Sequence, residues 1–298
     1  MFTGLSAFPL TPLDDDMLDE RSFTGLIERL VAARVDSITA LGSTGSYAYL
    51  TQAERARVAR LAVEHAAGIP VIVGVGALRT SQVLANISYA EEAGAAGVLL
   101  APMTYQPLTA DDVFELFRTV TEYTELPVIV YDNPGTTHFS FTTDLYARIA
   151  QLPGIVSIKI PGVPADRAQA EAHVESIRTA IPDHVTIGIS GDASAATGLA
   201  AGCETWYSVI GGTLPDLAQG ITRAVTGPDV EAALAESERL APLWSLFQEF
   251  GGSLRVVAAI AEELDLVPPR CLPLPIQGLG RQQRGRVAEV MRELDLRD

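Results

Sequence analysis

The sequence predicts an α/β protein, a (β/α)8 TIM barrel with a C-terminal helical extension. Three observations carry that expectation. Short apolar runs alternate with amphipathic stretches, the alternation repeats eight times within about 225 residues, and it stops near residue 229, after which only helical spacing continues. Strands that alternate with helices build parallel sheets, and eight such units suit a closed barrel. A doubly wound open sheet is the alternative, but the run Gly74-Val75-Gly76 is too short and misplaced for a dinucleotide-binding fingerprint.

The elements follow in order. Gly4 to Pro9 is the first strand, and Arg21 to Ala33 has helical spacing through Phe23, Leu26, Ile27, Leu30 and Val31. Ser37 to Leu41 is the second strand. Thr51 to Ala66 opens on Thr51 and Glu54, a capping box. Pro70 to Val75 and Thr80 to Ala93 form the third pair, and Gly97 to Ala101 and Thr109 to Thr124 the fourth. Pro127 to Tyr131 precedes the helix Thr142 to Ala150, and Ile155 to Lys159 precedes Asp166 to Ala180. Val185 to Ile189 leads to the short helix Ala193 to Ala201, and Thr205 to Val209 leads to Leu214 to Val225. The barrel therefore occupies residues 1–228. Residues 229–298 form a helical segment packed on it, with helices at Val230 to Glu249, Ser253 to Leu264 and Gly280 to Leu294.

Composition narrows the function classes. The net charge of −16 opposes binding to phosphate backbones and anionic lipids. No apolar run reaches the roughly 18–20 residues of a membrane span, and the N-terminus lacks the basic and apolar regions of a signal peptide. Two isolated cysteines, Cys203 and Cys271, make no disulfide framework, and the four histidines show no paired metal spacing. The expectation is a cytoplasmic protein with no metal and no cofactor.

Of the 21 basic residues, 20 are arginine, and Lys159 is the only lysine. It closes the apolar run Ile155-Val156-Ser157-Ile158-Lys159-Ile160, a buried strand. Burial of an ammonium costs several kcal/mol unless it is paired or neutralised. Desolvation lowers a lysine pKa and frees the lone pair for attack on a carbonyl, which a guanidinium cannot do. Lys159 is thus either a nucleophile or a strand-end lysine that snorkels or meets a carboxylate.

In a barrel the site lies at the C-terminal ends of the strands. There the sequence places Gly42-Ser43-Thr44-Gly45, Met103-Thr104-Tyr105, Tyr131-Asp132-Asn133-Pro134, Lys159 and Ser190-Gly191-Asp192. The set holds an amine, phenols, hydroxyls and glycine-flanked amides, without a carboxylate pair for glycoside hydrolysis or a metal cage. Taken singly, Tyr131 reads as a core tyrosine, Gly42 to Gly45 as an ordinary turn, Asp192 as a cap for the following helix, His138 as a loop residue and Arg270 as structural.

Jointly, these motifs resemble the dihydrodipicolinate synthase and N-acetylneuraminate lyase superfamily. The likeness spans essentially the whole length, anchored by Gly42-Ser43-Thr44-Gly45, Leu50-Thr51-Gln52-Ala53-Glu54-Arg55, Tyr131-Asp132-Asn133-Pro134, and Lys159 28 residues after Tyr131. The resemblance implies a class I aldolase or lyase that makes or breaks a C–C bond of pyruvate or another 2-oxo acid. It implies Lys159 as the Schiff-base lysine, Tyr131 as the proton-shuttling phenol and Ser43 as its relay hydroxyl. It also implies Thr44, with Gly45, as the binder of the substrate carboxylate, and Gly191 and Tyr207 as pocket lining. A 2-oxo acid and an aldehyde are the implied partners, and a homotetramer the implied assembly.

Four departures bear on the second substrate. Ser46 stands where glutamate is common, and Ile160-Pro161-Gly162 follows the lysine where the family usually has an acidic or polar residue. Thr104, with Tyr105 next to it, occupies the place of the synthases' intersubunit tyrosine. Thr136 replaces the arginine that holds aspartate semialdehyde. The pyruvate half is therefore expected intact, while the second half, with Tyr105 and Thr136, is expected to use aspartate semialdehyde poorly and a neutral or hydroxylated aldehyde better. Arg79 is the one strand-end cation that could compensate. Dihydrodipicolinate synthase itself is the alternative, and a non-catalytic 2-oxo acid-binding relative is the alternative of another class.

Overall fold

The computed structural model describes residues 2–227 and 229–296. The eight strands are β1 (Gly4–Ala7), β2 (Ser37–Ala40), β3 (Val71–Gly74), β4 (Gly97–Leu100), β5 (Val128–Tyr131), β6 (Ile155–Ile160), β7 (Thr186–Ile189) and β8 (Thr205–Ser208). They pair in parallel and in order, and β8 closes on β1. Between and after them lie α1 (Glu20–Ala33), α2 (Gln52–His65), α3 (Thr80–Ala93), α4 (Ala110–Tyr123), α5 (Thr143–Ala150), α6 (Arg167–Arg178), α7 (Ala195–Ala200) and α8 (Pro215–Thr226). The expected (β/α)8 barrel is what the chain forms. The predicted cap at Thr51 is present, and Thr109 caps α4 in the same way, each in a reciprocal box with the acid three residues on.

The helical extension differs in one respect. The stretch expected as a single helix over 230–249 is two, α9 (Val230–Arg239) and α10 (Ala241–Glu249), because Pro242 cannot continue a helix and instead opens the next one. Then follow α11 (Ser253–Glu263) and α12 (Arg281–Glu293). Helix α9 packs on α7 and α8, and α10 reaches the turn at 192–194. One continuous apolar cluster runs from Leu5 and Val58 through Trp206 to Leu243, Val256 and Met291. The boundary expected at 228/229 falls beside Pro228, which lies outside the described residues. A short hairpin, Leu13–Asp14 with Met17–Leu18, turns through Asp15 and Asp16, both with positive φ.

The barrel interior holds its own cluster, including Phe8, Ile72, Leu99, Ile129, Tyr131 and Tyr207. Polar groups also point inward, and two pairs of them bond each other. Ser6 Oγ and Thr39 Oγ1 lie 2.8 Å apart, and the Tyr207 hydroxyl donates to Ser157 Oγ at 2.9 Å. Gly188 makes this last bond possible, since a Cβ there would stand 2.2 Å from the Tyr207 ring. Under the mouth, Arg55 is buried and donates to the Gly74 and Gly76 carbonyls, both at 3.0 Å, so it fastens the loop after β3.

Candidate active site

Strand pairing builds the centre of the site. Tyr131 and Lys159 are register partners on β5 and β6, so both side chains project to the same side of the sheet. They emerge at the strands' C-terminal ends in a cavity of about 760 Å³. Lys159 is buried, with Nζ 4.5 Å from the Tyr131 ring centroid, 5.0 Å from Phe8 and 5.7 Å from Tyr207. The amine stands in an aromatic box. Gly42 admits one wall of it, because a Cβ there would lie 2.5 Å from the Phe8 ring.

Burial pushes the Lys159 pKa down to about 7, while the Asp192 and Asp132 carboxylates pull it back up. Neither carboxylate pairs with it directly. Asp132 is bonded to the Tyr146 hydroxyl at 2.5 Å, and burial raises its pKa to about 6. Asp192 does not cap the following helix, contrary to expectation. Its Oδ1 accepts from Trp206 Nε1, Ser208 Oγ and the Val209 amide, and its Oδ2 accepts from the Ile210 amide. It ties the loop after β7 to the end of β8.

A proton network sits beside the amine. Tyr131 Oη and Ser43 Oγ lie 3.2 Å apart, and Asn133 Nδ2 donates to Tyr131 Oη at 2.8 Å and to Ser43 Oγ at 3.2 Å. Burial raises the Tyr131 pKa, and the bonds to Ser43 and Asn133 oppose that shift. The phenol is held protonated and oriented. Asn133 had no role assigned from sequence. Its position two residues beyond Tyr131 on an extended run, hence on the same face, was the available signal.

Of the other expected residues, Thr44, Thr136 and Gly191 line the cavity. Thr44 is buried, and the Thr44 and Gly45 amides donate to no acceptor among the described residues, leaving two donors in one turn. Gly45 itself is not on the cavity wall, and neither is Tyr207, whose ring lies against the amine while its hydroxyl is engaged by Ser157. Tyr105 is 87% exposed and does not line the cavity, whereas Met103 and Thr104 do. Arg79 stands at the start of α3, outside the cavity. His138 and Arg255, neither expected, do line it. Among the described residues no group of three or more His, Cys, Asp or Glu side chains could hold a metal ion.

A buried amine beside a hydrogen-bonded phenol, at the mouth of a (β/α)8 barrel, defines a class: enzymes that attack a carbonyl carbon and use the imine as an electron sink, the class I aldolases and carbon–carbon lyases. The particular family follows from comparison. The profile of the Dihydrodipicolinate synthetase family matches residues 1–294, and the chain belongs to that family. It is 31% identical to the 4-hydroxy-tetrahydrodipicolinate synthase of Gluconacetobacter diazotrophicus, over 98% of this chain and 96% of that one. It is 33% identical to that of Hyphomonas neptunium, over 80% and 81%. Among solved structures it resembles the dihydrodipicolinate synthase of Agrobacterium tumefaciens with a TM-score of 0.92 and 42% identity, covering 98% of each chain. It resembles that of Thermotoga maritima with a TM-score of 0.90 and 26% identity, covering 99% of each. No helix among the described residues is long and apolar enough to cross a membrane.

Proposed function

We propose that Lys159 forms a Schiff base with pyruvate or a related 2-oxo acid, and that Tyr131, Ser43 and Asn133 move the protons of that reaction. The observation that carries this reading is the burial of the only lysine in register with Tyr131, with its ammonium form disfavoured near neutral pH. The neutral amine attacks the keto carbon. The carbinolamine then loses its hydroxyl as water, and the Tyr131 phenol is placed to supply that proton. The protonated imine withdraws electrons from C2, so C3 loses a proton and the enamine attacks an aldehyde; run backwards, the same steps cleave a C–C bond. The free amide of Thr44, on the cavity wall, suits the 2-oxo acid carboxylate, which needs no cation when a turn presents its N–H groups.

The names of the relatives support a second reading, a synthase that joins pyruvate to aspartate semialdehyde. Thr136 opposes it, since its Oγ1 lies 3.4 Å from the Asn133 carbonyl and carries no charge. A cytoplasmic setting and a homotetramer belong to the same proposal. Support for self-association comes from Tyr49, Leu78 and Tyr105, exposed on the loops that follow three adjacent strands.

Enamine formation is tested by exchange of the pyruvate methyl protons in heavy water, followed by NMR. Wild type should exchange them and Lys159→Arg should not. Exchange that survives in the variant, or is absent from wild type, refutes the reading.

A further inference from the structure

We propose that Arg255, on the first turn of α11, selects the second half of the substrate by holding a carboxylate remote from the imine. The inference rests on the Schiff-base reading for its chemistry, but its observations are separate. Arg255 lines the same cavity as Lys159. Its Nε donates to the Gln277 carbonyl at 2.9 Å, which fixes the plane of the guanidinium, and its two terminal nitrogens bond no acceptor among the described residues.

Asp132 binds Tyr146 through Oδ2 and keeps Oδ1 without a hydrogen-bond partner, Asp192 accepts from four donors, and neither forms an ion pair with Arg255. His138 is the one further ionisable imidazole on the wall. In a chain of net charge −16, the cavity thus keeps an unpaired cation. Its place on α11 is itself unfavourable. A cation in a first turn opposes the helix dipole, and α11 has no acidic residue there and no side-chain cap. A carboxylate arriving in the cavity would meet the guanidinium fork, which matches it bidentately, and the positive end of the helix.

This assigns the countercharge that Thr136 lacks to the helical extension rather than to the loop after β5. It also replaces the neutral aldehyde expected from the strand ends alone. The substrate class becomes a 2-oxo acid whose carbon chain ends in a carboxylate, or the aldehyde fragment that carries it.

The test uses 2-oxo acids of equal length with and without a terminal carboxylate, 2-oxoadipate against 2-oxohexanoate, with pyruvate as reference. Each is trapped on wild type, Arg255→Gln and Arg255→Lys with borohydride over a concentration series. Wild type should reach half-saturation with the diacid at about tenfold lower concentration than with the neutral acid, the effect of one charge-assisted contact. Arg255→Gln should bring the two within about twofold and leave pyruvate unchanged, and Arg255→Lys should restore part of the preference. The proposal is overturned if wild type shows no preference for the diacid or if Arg255→Gln retains it. It is overturned equally if the variants weaken all three acids alike, which would mean that Arg255 only pins the segment at Gln277. Failure of pyruvate to be trapped at all would refute the Schiff-base reading instead. Calorimetric titration of the two acids into unreacted protein then decides the role of Arg255 by the same comparison.

Discussion

Lys159 loses its proton more readily than an ordinary lysine because burial penalises the ammonium, and the nearby carboxylates, engaged elsewhere, only partly restore it. Folding therefore lowers its pKa from 10.5 to about 7. Between those values the unfolded chain binds more protons than the folded one, so stability rises with pH across that window, and the cost of burying the charge is complete below about 7. Asp132, raised from 3.8 to about 6, acts oppositely: it lowers stability as pH climbs through that range. Lys159→Met should accordingly abolish activity yet raise Tm, more at acid than at alkaline pH; an unchanged or lower Tm would mean that Lys159 is not strained by its surroundings. For Tyr131, hydrogen-bonded to Ser43 and Asn133, the proposed role is proton transfer rather than binding. Tyr131→Phe should slow turnover by ~10²–10⁴-fold with little change in 2-oxo acid affinity. Near-normal turnover would make Tyr131 a packing residue. Lys159 stands out in the sequence by its uniqueness at a strand end, whereas Tyr131 and Ser43 become legible only through their joint pattern with it and the resemblance that this pattern carries. Asn133 and Arg255 are not legible there: amide orientation is set by the partners it meets, and Arg255 enters the cavity from outside the strand ends altogether.

At the scale of elements, alternation and caps revealed all eight strands and the helices of the barrel. The interruption at 240 was hidden because the apolar spacing continues in phase across Pro242, and the hairpin at 13–18 was hidden because its strands are two residues each. The clearest unread element is the loop after β7. Its Asp192 reads locally as a helix cap, since aspartate before a helix has that meaning, but the side chain reaches across to β8. That fastening holds one wall of the cavity and places a carboxylate within influence of Lys159. Asp192→Asn should lower Tm by several degrees, since an amide cannot accept from all four donors. It should also move the pH midpoint of imine formation downward, because a carboxylate that favours the ammonium has gone. A variant with wild-type Tm and an unshifted midpoint would show that Asp192 does neither.

Over the whole molecule, the barrel supplies the buried amine proposed as nucleophile and the helical extension completes the enclosure. Residues 251–255 and Ile276 form part of the cavity wall, so the extension is not an independent appendage. Periodicity located its helices but could not say which face meets the barrel, because that depends on packing between segments far apart in sequence. The central claim, that this enclosure serves a lysine nucleophile, is tested most directly by reducing the protein with borohydride in the presence of pyruvate and locating the product by intact mass and peptide mapping. A single adduct on the peptide containing Lys159, absent from a folded Lys159→Arg variant, is the predicted result. No adduct, or an adduct confined to the N-terminal amine, would contradict it.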